Sequence, residues 1–188
     1  VQAVYAAKDY EPQAQARDAA VAQALQAQGI ALVQMKDHVI FEEREVLTQT
    51  GKPYGVFTPY KNACLKKLND FYLKPYPVEK YTSSLTDRPI SYQRSVPTLA
   101  EIGFVATNLA TLNIPTGMSG GRTLFEDFFD RMDDYHSTRD FPAVKGPSYL
   151  GVHLRFGTVS IRKLAGTAHQ RTLMGSQGAA VWLSELIW

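Results

Sequence analysis

The strongest constraint on the fold is a run of two apolar segments with a helical segment between them. Residues 2–7 (QAVYAA) are predicted to be a short buried strand, and residues 30–37 (IALVQMKD) a second strand. The segment between them is predicted to be a helix from Pro12 to about Gln28, with Gly29 as its C-terminal stop. Because a strand–helix–strand unit of this kind places its strands side by side and parallel, the pattern predicts an open α/β sheet.

The middle of the chain contains one short helix and then loses its periodicity. Residues 57–68 (FTPYKNACLKKL) are predicted to form a helix with Thr58 as its N-cap. Residues 70–120 contain several Pro, Ser and Thr without a sustained hydrophobic period, which indicates a long connection between two units. Gly120 and Gly121, within GMSGGRT (117–123), are predicted to close this connection. They lack the Gly-Lys-Ser/Thr ending of a phosphate-binding P-loop.

Helical periodicity returns at Arg122 and continues until Phe141-Pro142, where proline ends the pattern. Two further helices are predicted after it, with Ser160 and Ser176 as their N-caps. The fold class is therefore predicted to be α/β followed by all-α. The predicted boundaries are residues 1–69 for the α/β unit, 70–120 for the linker and 121–188 for the helical unit.

Composition excludes several classes of protein. Hydrophobic residues make up 45% and charged residues 20% of the chain, as in ordinary globular proteins. The single cysteine, Cys64, excludes an internal disulfide framework, and the four scattered histidines show no metal-ligand spacing. No apolar run is long enough to span a membrane and no secretory signal is visible, so a cytoplasmic, non-membrane protein is expected. Both ends lie inside apolar runs, which predicts an internal part of a longer chain.

The last 44 residues are locally basic although the whole chain has a net charge of only +2. Glu185 is the single acid in this segment, against five basic residues: Lys145, Arg155, Arg162, Lys163 and Arg171. Two interpretations remain open, ordinary surface cations or a surface that faces phosphates.

Residues 139–157 (RDFPAVKGPSYLGVHLRFG) combine glycine and proline with aromatic, basic and histidine side chains. The turn KGPSYLG brings the Ser148 hydroxyl and several backbone N–H groups to the start of a helix. Such a turn suits an anion, because the first N–H groups of a helix have no partner. The alternative is that Ser148 only caps that helix.

The final helix carries Trp182, Glu185 and Trp188 at intervals of three residues. Two indoles beside a carboxylate could hold a planar ring by stacking, with Glu185 accepting a hydrogen bond from its edge. The alternative is an ordinary core stripe with Glu185 at its rim.

Four segments in sequence order resemble the DNA photolyase and cryptochrome family, and bacterial class I cyclobutane pyrimidine dimer photolyases in particular. They are DYEPQAQARDAAV, KPYGVFTPYKNACLKKL, RDFPAVKGPSYLGVHLRFGTVSIR and AAVWLSELIW. The resemblance covers nearly the whole chain. It implies the end of a Rossmann-like parallel α/β antenna domain, a long linker and the start of a helical FAD-binding domain.

The resemblance also assigns FAD-binding residues. Tyr135 corresponds to the family's tyrosine at the FAD phosphates. The family's Thr-Ser-Arg-Leu-Ser loop around the diphosphate corresponds to Pro147, Ser148, Tyr149, Leu150 and Gly151, of which Ser148 and Leu150 match. On the antenna side, Gln13 and Ala14 replace the Asn-Glu pair of a folate-type site. Folate, a deazaflavin or no antenna pigment are all compatible with that change.

The final helix matches the family's Trp-Leu-x-Glu-Leu-x-Trp motif in full. The resemblance places Trp182 and Glu185 between flavin and lesion, and Trp188 against a pyrimidine dimer flipped out of DNA. It implies a monomeric lyase in which excited reduced FAD gives an electron to the dimer and Glu185 is catalytic. A cryptochrome without repair activity and an inactive structural remnant are the alternatives.

Overall fold

Two parallel strands and one helix form the N-terminal unit. The computed structural model describes residues 1–188, with the side chain of every residue except Ala110. Strand β1 (Ala3–Ala7) pairs in parallel with β2 (Ala31–Met35), and Ala3 lies opposite Ala31. Helix α1 (Pro12–Gln26) connects them. The predicted strand–helix–strand unit is confirmed, but the expected burial of β1 is wrong, because three of its five residues are exposed.

Two helices follow a loop after β2. Helix α2 spans Phe57–Lys67 and α3 spans Asp70–Leu73. The predicted N-cap Thr58 is wrong, because the extended residue before α2 is Val56 and no side chain caps the helix. Thr58 already lies in the first turn, where its backbone is helical.

The predicted connection has little regular structure. Between α3 and the next α-helix there are 3₁₀ helices at Val78–Ser84, Ile90–Tyr92 and Asn108–Thr111. Many of its large apolar side chains are exposed, including Leu85, Ile90 and Phe104.

Helix α4 (Gly117–Phe129) begins five residues before the predicted start at Arg122. Gly120 and Gly121 therefore lie inside a helix rather than at the end of the connection. A Cβ on Gly120 would lie 2.5 Å from the Pro115 carbonyl carbon, and one on Gly121 would lie 2.6 Å from a Val159 methyl. The glycines allow α4 to pack closely against its neighbours, a requirement that does not show in the local hydrophobic period.

The predicted long helix up to Phe141 is wrong, because it is divided at Arg131. The Arg131 backbone (φ −118°, ψ 5°) leaves the helical region and separates α4 from a 3₁₀ turn at Met132–Asp134. A short helix α5 (Tyr135–Thr138) follows this turn.

The last three helices are α6 (Gly151–Arg155), α7 (Ile161–Leu173) and α8 (Gln177–Ile187). The predicted caps of α7 and α8 are confirmed. The Ser160 hydroxyl accepts from the Lys163 N–H at 3.4 Å, and the Ser176 hydroxyl accepts from the Ala179 N–H at 3.1 Å. The first turn of α8 packs directly against the backbone of Met132 and Asp133.

One hydrophobic core links the helical unit to α2 and α3. Its most buried large side chains are Phe128, Met132, Leu150, Leu164, Leu183 and Cys64. Arg162 is also buried and donates to the Asp37 and Val39 carbonyls at 2.7 and 3.1 Å, which fastens α7 to the loop after β2. Within the described residues, no helix combines the length and apolar character needed to cross a membrane.

Candidate functional site

The three predicted residues of α8 lie in different environments. Trp182 is 3% exposed and packs against Phe128, with ring centroids 4.7 Å apart, and against Phe125 at 6.3 Å. The core-stripe alternative therefore describes Trp182. Trp188 is 82% exposed, and among the described residues it meets one ring, the edge of Phe57 at 4.4 Å.

Glu185 is exposed on α8 and forms an ion pair with Arg139. A carboxylate oxygen of Glu185 lies 2.5 Å from an Nη of Arg139. This hydrogen bond raises the pKa of the Arg139 guanidinium, which also lies 5.4 Å from the Tyr135 ring centroid. Sequence reasoning gave Arg139 no role. Its partner is 46 residues away, so no local pattern could reveal the pair.

Tyr135 connects this ion pair to the core. Its residue surface is 9% exposed and its ring meets the edge of Phe128 at 5.7 Å. Burial raises the pKa of the Tyr135 phenol. A protonated phenol can donate one hydrogen bond, which suits an anionic oxygen.

The Ser148 turn is anchored on both sides by buried residues. Gly146 lies so close to α5 that an added Cβ would be 2.5 Å from the Thr138 carbonyl oxygen, and Leu150 is completely buried. The Ser148 hydroxyl accepts from the Leu150 N–H at 3.4 Å. The alternative interpretation, in which Ser148 only caps α6, is wrong, since the N-cap is Leu150 and no side chain among the described residues caps that helix.

Tyr149 at the tip of this turn has an unusual backbone. Its φ is +58°, in the left-handed region that disfavours residues other than glycine, asparagine and aspartate. In the part of the chain that the structure describes, the N–H groups of Ser148 and Tyr149 donate to no protein acceptor. The turn therefore presents two free N–H donors beside a half-buried hydroxyl.

A cavity of about 450 Å³ lies beside the C-terminal half of α8. Glu185 and Trp188 line it together with Tyr60, Leu154 and the loop at residues 38–41. The structure thus brings the predicted carboxylate and second indole to one cavity. Neither Ser148 nor Trp182 lines this cavity, so the idea that the turn and the whole α8 motif share one site stays a prediction. Sequence reasoning missed the loop at 38–41, which is distant in the chain.

Most of the basic residues near the C-terminus are already engaged within the chain. Lys145 pairs with Asp127, Arg155 with Glu11 and Arg171 with Asp133, while Arg162 binds backbone carbonyls. Of the five, within the described residues, Lys163 alone makes neither an ion pair nor a side-chain hydrogen bond. A continuous phosphate-binding surface is not formed by these residues alone.

Comparison with known proteins identifies the family. The DNA photolyase family model matches residues 1–80. The chain is 33% identical to a deoxyribodipyrimidine photo-lyase of Vibrio cholerae over 98% of its length, and 31% identical to one of a Synechococcus strain over 100%. The chain belongs to the DNA photolyase family. It spans about two fifths of the length of these two curated relatives, 39% and 40%.

The photolyase fold is supported by a solved structure as well. A bacterial class III photolyase from Agrobacterium tumefaciens superposes over 100% of this chain with a TM-score of 0.72. The two share 22% sequence identity, and the match covers 39% of that protein. This likeness supports the architecture, an α/β unit followed by helices.

The DNA photolyase family implies a flavin chromophore, and the donors of the Ser148 turn suit its phosphates. Phosphate oxygens bind hydroxyl groups and unpaired backbone N–H groups, and the turn offers Ser148 and Tyr149 in this role. The Tyr135 hydroxyl makes no hydrogen bond to another described residue, so its O–H is free to donate. The chemistry of these donors therefore fits a dinucleotide diphosphate.

The antenna positions contribute little polar chemistry in this photolyase-family chain. Ala14 is 7% exposed on α1, whereas Gln13 is exposed. A buried alanine offers no carboxylate, and the identity of any antenna pigment stays a prediction.

Proposed function

We propose that this chain is part of a light-driven DNA repair flavoenzyme that splits cyclobutane pyrimidine dimers. One observation carries the proposal: Glu185 and Trp188 of the matched α8 motif line a single open cavity in a chain of the DNA photolyase family. The relatives from Vibrio cholerae and Synechococcus are named deoxyribodipyrimidine photo-lyases, which supports a pyrimidine dimer as the substrate.

Glu185 and Trp188 have complementary tasks in this proposal. The Glu185 carboxylate accepts hydrogen bonds from the polar edge of the dimer with the oxygen that Arg139 leaves free. The exposed Trp188 indole provides a stacking wall, a contact that contributes about 1–3 kcal/mol per base in comparable sites. Trp182 packs in the core against Phe125 and Phe128 and does not line the cavity.

The proposed cofactor is FAD, which in its reduced, light-excited form supplies the electron for splitting the dimer. The hydroxyl and backbone N–H groups of the turn would hold its diphosphate, and the residues concerned are Ser148, Tyr149, Leu150 and Gly151. Tyr135 would donate its phenol hydroxyl. Glu185 would stand beside the flavin, as its motif suggests, whereas the buried Trp182 would act from the core behind it. The proposed DNA partner is a damaged duplex with the dimer flipped out.

Light-dependent repair by the full-length gene product tests this function. The measurement is loss of dimers from an irradiated oligothymidylate under blue light, with a dark sample as reference. Glu185→Gln removes the charge but keeps the shape, and it should lower the repair rate by about tenfold to a hundredfold, since a charge-assisted hydrogen bond contributes about 1.5–3 kcal/mol.

Glu126→Gln is the matched control, because Glu126 is exposed and pairs with Arg122 on its own helix. It should leave the repair rate unchanged. A flavin-loaded gene product that splits no dimers in the light would contradict the proposal. So would equal repair rates for the wild type and the Glu185→Gln variant.

A further inference from the structure

The Arg131 side chain holds three consecutive carbonyl groups of the turn that precedes Ser148. One Nη donates to the Lys145 and Gly146 carbonyls at 2.5 and 2.8 Å, and the other donates to the Pro147 carbonyl at 2.8 Å. These bonds span 14 to 16 residues in sequence and end immediately before Ser148. An irregular backbone segment is thereby tied to the end of α4.

Asp127 orients the same guanidinium from the opposite side. Its carboxylate accepts from the Arg131 Nε at 3.3 Å and from an Nη at 3.1 Å. The second oxygen of Asp127 accepts from the Lys145 ammonium at 2.7 Å. Asp127, Arg131 and Lys145 thus form a closed set of contacts between α4 and the turn.

The arrangement leaves Arg131 no free edge for a ligand. The nitrogens Nε and both Nη already donate to Asp127 or to the three carbonyls. The flat faces of the guanidinium are also near rings, with centroids of Phe128 and Tyr149 at 5.1 and 5.9 Å. Arg131 therefore binds Asp127 and the backbone of the turn, and it does not bind an anionic ligand directly.

We infer that Arg131 is a positioning residue, which orders residues 145–151 so that the Ser148 hydroxyl and the free N–H groups at Ser148 and Tyr149 meet the diphosphate of the flavin. This inference rests on the proposed function. A planar guanidinium can hold three carbonyls and a carboxylate at once, whereas an ammonium or an amide cannot. Replacing the guanidinium should therefore release the turn even where the new side chain keeps the positive charge.

The test compares two ligands in the full-length gene product and its Arg131→Gln and Arg131→Lys variants. FAD contains the diphosphate and riboflavin lacks it, so the dissociation constants of both are measured by flavin fluorescence. Both variants should bind FAD about tenfold more weakly, while riboflavin affinity changes less than about twofold. Amide hydrogen exchange within residues 145–151 is measured without any flavin at the hydrogen-bonded N–H groups of Gly146 and Leu150, and it should be about tenfold faster.

Arg122→Gln is the control, because it removes the same charge from α4 but Arg122 pairs with Glu126 and does not contact the turn. It should leave both affinities and the exchange rates unchanged. Equal weakening of FAD and riboflavin, or unchanged exchange at residues 145–151, would overturn the inference while the wild type still binds FAD. If the wild type binds no flavin, the proposed function fails and this inference fails with it. Should Arg131→Gln not fold, Arg131→Lys decides between these outcomes.

Discussion

Residues 139–150 and residues 76–114 both lack sheet and long helix, but they differ sharply in the contacts that fix them to the rest of the chain. In the first, contacts join distant positions: the Arg131 side chain donates to three backbone carbonyls, and the Arg139 side chain donates to the Glu185 carboxylate. In the second, the hydrogen bonds of the described residues join positions no more than six apart, as in Arg88 to the Arg94 carbonyl. Leu150 is completely buried, whereas Leu85 is 78% exposed.

This difference shows that irregular backbone becomes specific only when long-range contacts replace the missing helix or sheet ladder. Local turns satisfy individual N–H groups but do not fix where a segment lies relative to the core. Segments with few buried apolar contacts open at low free energy, whereas segments tied to the core open only with it. Function requires the second kind of segment, because a ligand site must keep its donors in place.

Replacing one buried and one exposed leucine gives the largest expected contrast. Leu150→Ala should lower the free energy of unfolding by about 2–5 kcal/mol, because it removes a fully buried side chain and leaves a cavity. Leu85→Ala in the connection should stay within about 0.5 kcal/mol of the wild type. Urea unfolding of this chain measures both, and equal losses would show that the two segments are held alike.

A methyl group added at Gly146 should have the next largest effect. Its Cβ would lie 2.5 Å from the Thr138 carbonyl oxygen and 3.0 Å from the Arg139 nitrogen, and neither backbone atom can move freely. Gly146→Ala should destabilise by about 1–3 kcal/mol, a fall in melting temperature of about 2–12 °C.

Gly151→Ala, five residues later, is the matched control for this change. A Cβ there meets nothing within 4 Å, and alanine favours the first turn of α6. Its melting temperature should equal or slightly exceed that of the wild type. A large loss at Gly151, or none at Gly146, would show that the turn is not packed against α5 as described.

Lowering the pH should loosen residues 139–150 before it affects residues 76–114. The Lys145 ammonium and then the Arg131 guanidinium lower the pKa of the Asp127 carboxyl in the folded chain, whereas its unfolded value is about 3.9. The folded state therefore gains stability from this group above about pH 4, and loses it as the pH falls through the lowered folded pKa. Asp127→Asn should flatten the loss of stability between about pH 4 and pH 2.

Amide exchange of Gly146, whose N–H donates to the Val144 carbonyl, measures this effect in the turn as a function of pH. The corresponding exchange at residues 88–94 should show no comparable dependence on Asp127. An unchanged acid response in the Asp127→Asn variant would show that this carboxylate does not hold the turn.

The same contrast explains which features could be predicted from the sequence. The strand–helix–strand unit and the caps Ser160 and Ser176 depend on local periodicity and local hydrogen bonds, and these predictions are confirmed. The start of α4 was missed because the close contacts of Gly120 and Gly121 are with Pro115, His153 and Val159 and not with residues of their own helix. The break at Arg131 was missed because the helical period of apolar residues continues through it.

The candidate site divides in the same way. The α8 motif and the Ser148 turn could be found from sequence, since residue types and spacing carry them. The partners Arg131 and Arg139 could not, because their contacts span 14 to 46 residues and exist only once the chain has folded. The burial of Trp182 likewise follows from packing against Phe125 and Phe128 on α4, and not from its own helix.

Relief of backbone strain at Tyr149 gives the smallest expected effect and has the opposite sign. A left-handed conformation costs a residue with a Cβ about 1–2 kcal/mol, and glycine avoids this cost. Tyr149→Gly also loses the contact with Arg131 and adds freedom to the unfolded chain, so a net gain of about 0.5 kcal/mol is expected. Tyr81→Gly in the connection has no positive φ to relieve and should instead lose about 0.5–1 kcal/mol. Melting temperatures that move in opposite directions for these two exposed tyrosines would show that the contacts around Ser148 hold Tyr149 in its strained form, and a loss in both would refute this.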